Sequence, residues 1–175
     1  MKKKTIDNPK PSFIQAINVA NQWCTEWEDN LLSDEVLADR IAELTQSQNG
    51  ARGFFAYALS DIDCTLLDRL PTSLIFKLRE QGKPIVEIVV KNLIMSSAQI
   101  LHHQRLNNKN NQFLSRNISD RCINLLKVLE TKLVAQIIKK SLKNLDKMGN
   151  SLDNSTRYDN DQKKFIREVI NKIAY

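Results

Sequence analysis

Pro84–Arg105, PIVEIVVKNLIMSSAQILHHQR, is the stretch on which the fold turns. Gly82 and Lys83 precede it, and Pro84 suits a first helical turn, where its missing N–H is not needed. From there the chain runs to the asparagine-rich segment at Asn107 without Gly or a further Pro. That length exceeds an ordinary strand, although IVEIVV alone has strand composition, and a strand over Ile85–Val90 is the alternative. Read as a helix, Val86, Val89, Val90, Leu93, Ile94, Ser97, Ile100 and Leu101 cover most of the circumference. A helix apolar nearly all round belongs in the middle of a bundle, so residues 84–106 form its expected central helix. Asn92, Ser96, Gln99 and His103 step by four, three and four and line one face. Their polar groups must either bond inside the bundle or face a groove, because buried unpaired groups are costly. Glu87, Lys91, Asn92 and Gln99 fall within the only window long enough to span a membrane, which argues against a span.

Outward from this stretch, the same 3.6-residue period recurs. Ser12 with Gln15 makes a capping box, followed by Phe13, Ile17, Ala20, Cys24 and Trp27 at helical steps. Trp23 and Trp27 read as core anchors, with a docking stripe as the sharper alternative. Ser33 caps a second helix whose first turn carries Asp34 and Glu35, and Asn49-Gly50 is its expected end. ARGFFAYALSD, residues 51–61, favours helix, yet Phe55, Tyr57 and Leu59 alternate as in a short strand. Asp61 and Asp63 are expected to cap a helix over Cys64–Leu67 rather than hold a metal, there being no third carboxylate at ligand spacing. Pro71 opens a helix stopped by Gly82. Phe113–Met148 is one long helical pattern whose apolar phase jumps between Leu129 and Val134. A bend or break near Thr131 and a continuous helix both fit, and the absence of Gly or Pro there favours continuity. Asp159 with Gln162 caps a final helix.

Four glycines and four prolines in 175 residues suit long helices rather than a turn-rich fold. Cys24, Cys64 and Cys122 lie far apart, with neither a disulfide framework nor zinc-ligand spacing, so buried thiols in a reducing compartment are expected. Glycine-rich phosphate loops and a serine-nucleophile elbow are absent. His102 and His103 are adjacent, hence about 100° apart on a helix, and cannot chelate one metal together. A catalytic role for His103 would need Asn92 and Gln99 to meet it in a concave site.

The formal net charge of +6 is unevenly spread: residues 1–76 carry −4, residues 77–147 carry +9 and residues 148–175 carry +1. Such asymmetry speaks of partners rather than fold. Lys132, Lys139, Lys143 and Lys147 fall within about 80° of arc on a helix turning about 100° per residue. Arg121 joins that line if the helix is continuous. Four cations on one face suit an acidic partner, or the phosphate backbone of a nucleic acid. No aromatic-interleaved basic motif supports the second use.

Gly50–Phe55, GARGFF, and Val89–Ser96, VVKNLIMS, resemble a conserved family of small cyanobacterial proteins and their red-algal plastid-encoded relatives. His103 and Arg105 resemble the end of the same family helix, with Gln104 departing from it, and Arg121 with Asn124 and Leu125 matches a later one. The resemblance covers roughly residues 50–145. It implies a plastid stroma or cyanobacterial cytoplasm as the location and no particular activity. The family pattern also carries a proline near Thr131, which strengthens the break. The first residues, MKKKTIDNPKPS, lack the apolar run of a secretory signal.

These readings predict an all-α fold: a single-domain bundle of about six helices over residues 12–175, after a flexible basic N-terminus at 1–11. The expected function is a non-enzymatic soluble adaptor or assembly factor without cofactor or metal, binding an acidic protein partner, with nucleic-acid binding through residues 77–147 as the alternative. The expected interaction residues are Arg52, Lys91, Asn92, Ser96, Gln99, His103, Arg105, Arg121, Lys132, Lys139, Lys143 and Lys147.

Overall fold

The computed structural model describes residues 10–147, without the side chain of Lys147, and residues 158–173. The N-terminal segment expected to be flexible falls almost wholly outside them. Among the described residues the chain forms eight α-helices and no strand. They are α1 (Phe13–Glu28), α2 (Asp34–Thr45), α3 (Gln48–Ser60), α4 (Thr72–Gln81), α5 (Lys83–Arg105), α6 (Lys109–Val128), α7 (Thr131–Lys147) and α8 (Asn160–Ile170).

Local signals place most of these ends. Ser12 and Asp159 close capping boxes with Gln15 and Gln162, and the Ser33 hydroxyl accepts the Val36 amide. Eight helices rather than six arise at two places. GARGFF lies wholly inside α3, whose N-cap is Ser47, so Asn49-Gly50 sits in the first turn of a new helix instead of ending α2. The long C-terminal pattern breaks: Leu129 is extended, and the Glu130 carboxylate accepts the Lys132 and Leu133 amides at 3.0 and 2.6 Å. A side-chain acceptor aimed at orphan N–H groups starts a helix as firmly as proline. Nor do residues 64–67 form an α-helix. Asp61 instead caps the end of α3, and its Oδ1 accepts the Asp63 amide in a tight turn.

The helix α5 is the hub, packing most extensively on α6 and also against α3, α4, α7 and α8. It and α6 form an antiparallel hairpin closed at Leu106–Asn108, where Asn107 takes the left-handed conformation with φ 52°. Ile85, Val86, Val89, Val90, Leu93, Ala98 and Ile100 are buried on α5, whereas Glu87, Lys91, Met95, Gln99 and His102 face outward. The helix therefore keeps one open face rather than being enclosed all round. By length and composition it could cross a membrane, but half of its most apolar window is buried by its neighbours, as in a core helix. The helix α8 runs back along α5: Gln162 Nε2 donates to Ala98 O at 3.2 Å, and Arg105 pairs with Asp159 and Asp161. In the N-terminal half, α2 and α4 run in parallel. Ser73 bonds Asp34 O, Lys77 pairs with Asp39, and Gln81 bonds Ala42 O.

Close approach of α1 and α3 depends on Gly53. A Cβ added there would lie 2.5 Å from the Ala16 Cβ and 2.8 Å from the Phe13 carbonyl oxygen. Helix propensity favours Ala over Gly by about 1 kcal/mol. Overpacking against another helix's backbone costs about 1–3 kcal/mol. Gly53→Ala is therefore expected to destabilise the fold by up to about 2 kcal/mol, read from the urea midpoint; a gain in stability would show that α1 can yield.

Candidate interaction surface

Arg121 is the first residue that the structure relocates. The break between α6 and α7 takes it out of the lysine line, and it lies inside the protein, 6% exposed. Its Nε and Nη2 donate to both carboxylate oxygens of Asp68 at 3.0 and 2.7 Å, a bidentate fork. Nη1 donates to the carbonyls of Ala58, Leu59 and Asp61, and Nη2 to that of Cys64. Four carbonyls at the end of α3 and in the loop after it, which helix geometry leaves without amide partners, are thus collected by one guanidinium. Burial opposes its charge, but the Asp68 bond and charge outweigh it and raise its pKa above the ordinary arginine value.

The polar stripe of α5 is mostly satisfied within its own helix. Asn92 Nδ2 donates to Ile88 O at 2.9 Å, and buried Ser96 and Ser97 both donate to Leu93 O, at 3.1 and 2.7 Å. Gln99 is exposed. His103 is half-buried, and its Nδ1 is enclosed with no hydrogen-bond partner among the described residues. Asn92 thus spends its amide on its own helix three turns from His103. Two open depressions on the N-terminal half are edged by Trp27, Leu31, Arg69 and Pro71, and by Lys10, Ser12 and Gln46. Neither is lined by His103. Among the described residues no three His, Cys, Asp or Glu side chains converge as metal ligands do.

The remaining candidates divide between structural and free cations. Arg52 is exposed and stacks over the Phe13 ring at 5.5 Å. Trp23 and Trp27 are likewise half-buried beneath Arg40 and Arg69, at 5.6 and 4.5 Å. Arg105 ties α5 to α8. Lys91, Lys132, Lys139 and Lys143 are exposed and, among the described residues, take part in no ion pair. The Lys147 side chain lies outside the described residues.

Two residues that sequence reasoning left aside connect the cations across helices. Lys83 and Lys140 approach the same oxygen of Glu87, at 3.8 and 4.0 Å. The exposed side of α5 therefore adjoins the lysine face of α7, and Lys91 lies one turn beyond Glu87 on it. The Lys83–Glu87 spacing was legible as an i, i+4 pair. The contact with Lys140 has no local signal.

Across nearly its whole described length, residues 12–173, the chain matches the model of a family described as uncharacterised conserved protein UCP020893. The chain belongs to this family. No curated protein and no solved structure matches it. Several residues of the strings singled out in the sequence are structural: Gly53 admits α1, Phe54 and Phe55 are fully buried, and Arg121 holds the loop after α3.

Two measurements test this assignment of roles. Arg121→Lys keeps a positive charge but loses the fork, and should destabilise by about 1–3 kcal/mol in denaturant unfolding, since buried carbonyls at the end of α3 lose their donors; a loss below about 0.5 kcal/mol would refute the clamp. Arg105 holds the Asp159 carboxyl down to about 2, from 3.8, with the Gln162 amide assisting. A depressed carboxylate stabilises the fold above its unfolded value and loses that contribution as pH falls through the folded one. Docking of the α8 N-terminus should hence persist near pH 4 and weaken toward pH 2. The Asp159 carboxyl resonance should titrate near 2, and shift up toward 3.8 in Arg105→Gln.

Proposed function

We propose that this protein is a binding module that docks an acidic protein partner on the basic face shared by α5 and α7. The observation that supports this reading is the set of exposed cations Lys91, Lys132, Lys139 and Lys143, unpaired among the described residues, together with Lys83 and Lys140, which approach the carboxylate of Glu87. Like charges left unneutralised on one face repel one another, and a complementary surface relieves that repulsion while steering association. The role is that of an adaptor or assembly factor rather than an enzyme. The GARGFF and VVKNLIMS strings support a plastid stroma or cyanobacterial cytoplasm as its setting.

Nucleic acid is the competing ligand for such a face. TKLVAQIIKKSLKNLDK, the whole of α7, carries no aromatic ring on which a base could stack, and this favours the protein partner. Affinity purification at low salt with and without nuclease separates the two. A protein complex that survives nuclease and weakens about tenfold or more in Lys139→Glu/Lys143→Glu is expected. The difference between variant and parent should shrink at high salt, where charges are screened beyond about 3 Å at 1 M. Recovery of nucleic acid alone, or a complex indifferent to both reversals, would overturn the reading.

A further inference from the structure

The helices α2 and α4 run side by side, bonded through Ser73, Lys77 and Gln81, so their outer sides form one ridge. Phe76 on α4 and Val36 on α2 stand in the open there, 58% and 43% exposed. Glu35, Glu43 and Glu80 are exposed on the same two helices and enter no ion pair among the described residues, whereas Asp39 is held by Lys77. Interfaces favour this arrangement, an aromatic side chain with charge at its rim. The ridge also matches the lysine face in spacing. Glu35, Asp39 and Glu43 step by four along α2, as Lys139 and Lys143 do along α7. Four residues advance an α-helix by about 6 Å, so opposite charges recur at the same interval on both surfaces. Neither surface covers the other within one molecule: α2 packs mainly on α1, α3 and α4, and α7 on α5, α6 and α8.

We propose, resting on the docking role given above to the lysine face, that its acidic partner is a second copy of this chain, whose α2–α4 ridge seats on the α5–α7 face of its neighbour. Glu35 and Glu43 then oppose Lys139 and Lys143 of the neighbour, and the Phe76 ring leaves water against the aliphatic stems of those lysines. The uneven charge of the sequence, −4 over residues 1–76 and +9 over residues 77–147, supplies the two sides of this one contact. Because the two surfaces differ, the contact is heterologous. Each joined pair keeps one free ridge and one free face, and growth yields an open chain or a closed ring. Exposed charge pairs are individually weak, so association is reversible, rises with concentration and falls with salt.

The test is sedimentation velocity of the nuclease-treated full chain over a concentration series at low and high salt. Species of dimer mass and above should grow with concentration at low salt and return to monomer at 1 M salt, where charges are screened beyond about 3 Å. Glu35→Lys/Glu43→Lys spoils the ridge and Lys139→Glu/Lys143→Glu the face, all at exposed positions, and each variant alone should stay monomeric. Mixed in equal amounts, the two should associate again, since opposite charges then meet between unlike molecules. Phe76→Ala should weaken association of the parent about tenfold. A parent that is monomeric at every concentration would overturn the proposal. Association that survives either reversal or 1 M salt would do so too, as would a mixture that stays monomeric. A monomeric parent that still captures a nuclease-resistant acidic protein through Lys139 and Lys143 would end the self-contact alone and leave the docking role standing.

Discussion

The guanidinium of Arg121 does for the loop after α3 what a longer helix or a metal does elsewhere. Carbonyls of Ala58, Leu59, Asp61 and Cys64 all point at it, and Asp68 balances its charge from the same loop. Burying an arginine is unfavourable unless its donors find acceptors, and here it donates from all three nitrogens. The consequence reaches past the loop. Because α6 carries Arg121 and the loop leads into α4, this one contact fixes how the N-terminal helices sit on the α5–α6 hairpin. It also holds the Cys64 carbonyl, next to the Thr65 amide that bonds Glu28 of α1, so the clamp and this inter-helix contact share one loop.

The hairpin divides the surface. On its inner side, small polar residues serve packing: Ser96 and Ser97 turn their hydroxyls back to Leu93, and Ser115 and Ser119 of α6 are buried too. A hydroxyl bonded to its own helix is satisfied and leaves only a small side chain to accommodate. On its outer side, α5 presents Glu87 and Lys91 next to the lysines of α7. The interior is therefore stabilised by matched groups, while the outer face retains unmatched charge, and unmatched charge is what a partner can neutralise.

Much of this architecture was legible in the chain. Capping boxes at Ser12 and Asp159, the Ser33 cap, the central helix and its polar stripe follow from short-range rules, because a cap or an amphipathic period involves residues within a turn or two of each other. At Phe55, Tyr57 and Leu59 the helix favoured over residues 51–61 forms as part of α3, and the strand-like alternation there carries no weight against burial. The end of α6 was only half legible. The phase jump after Leu129 pointed to a break, but the carboxylate of Glu130 capping the next helix is not a usual capping signal. That break decides the site, since it separates Arg121 from Lys132, Lys139 and Lys143.

Sequence alone determined that the chain is helical, where its apolar faces lie, and that its positive charge gathers after residue 76, because each depends on neighbours in the chain. Tertiary structure decided which cations are free. Arg105 and Arg121 are bound over separations of more than 50 residues, whereas Lys91, Lys139 and Lys143 pair with no carboxylate among the described residues. Such pairings depend on how helices pack, through contacts between residues far apart in sequence, and no period or spacing encodes them. The central helix, read first as a hydrophobic run, is thus the axis around which those distant contacts are arranged.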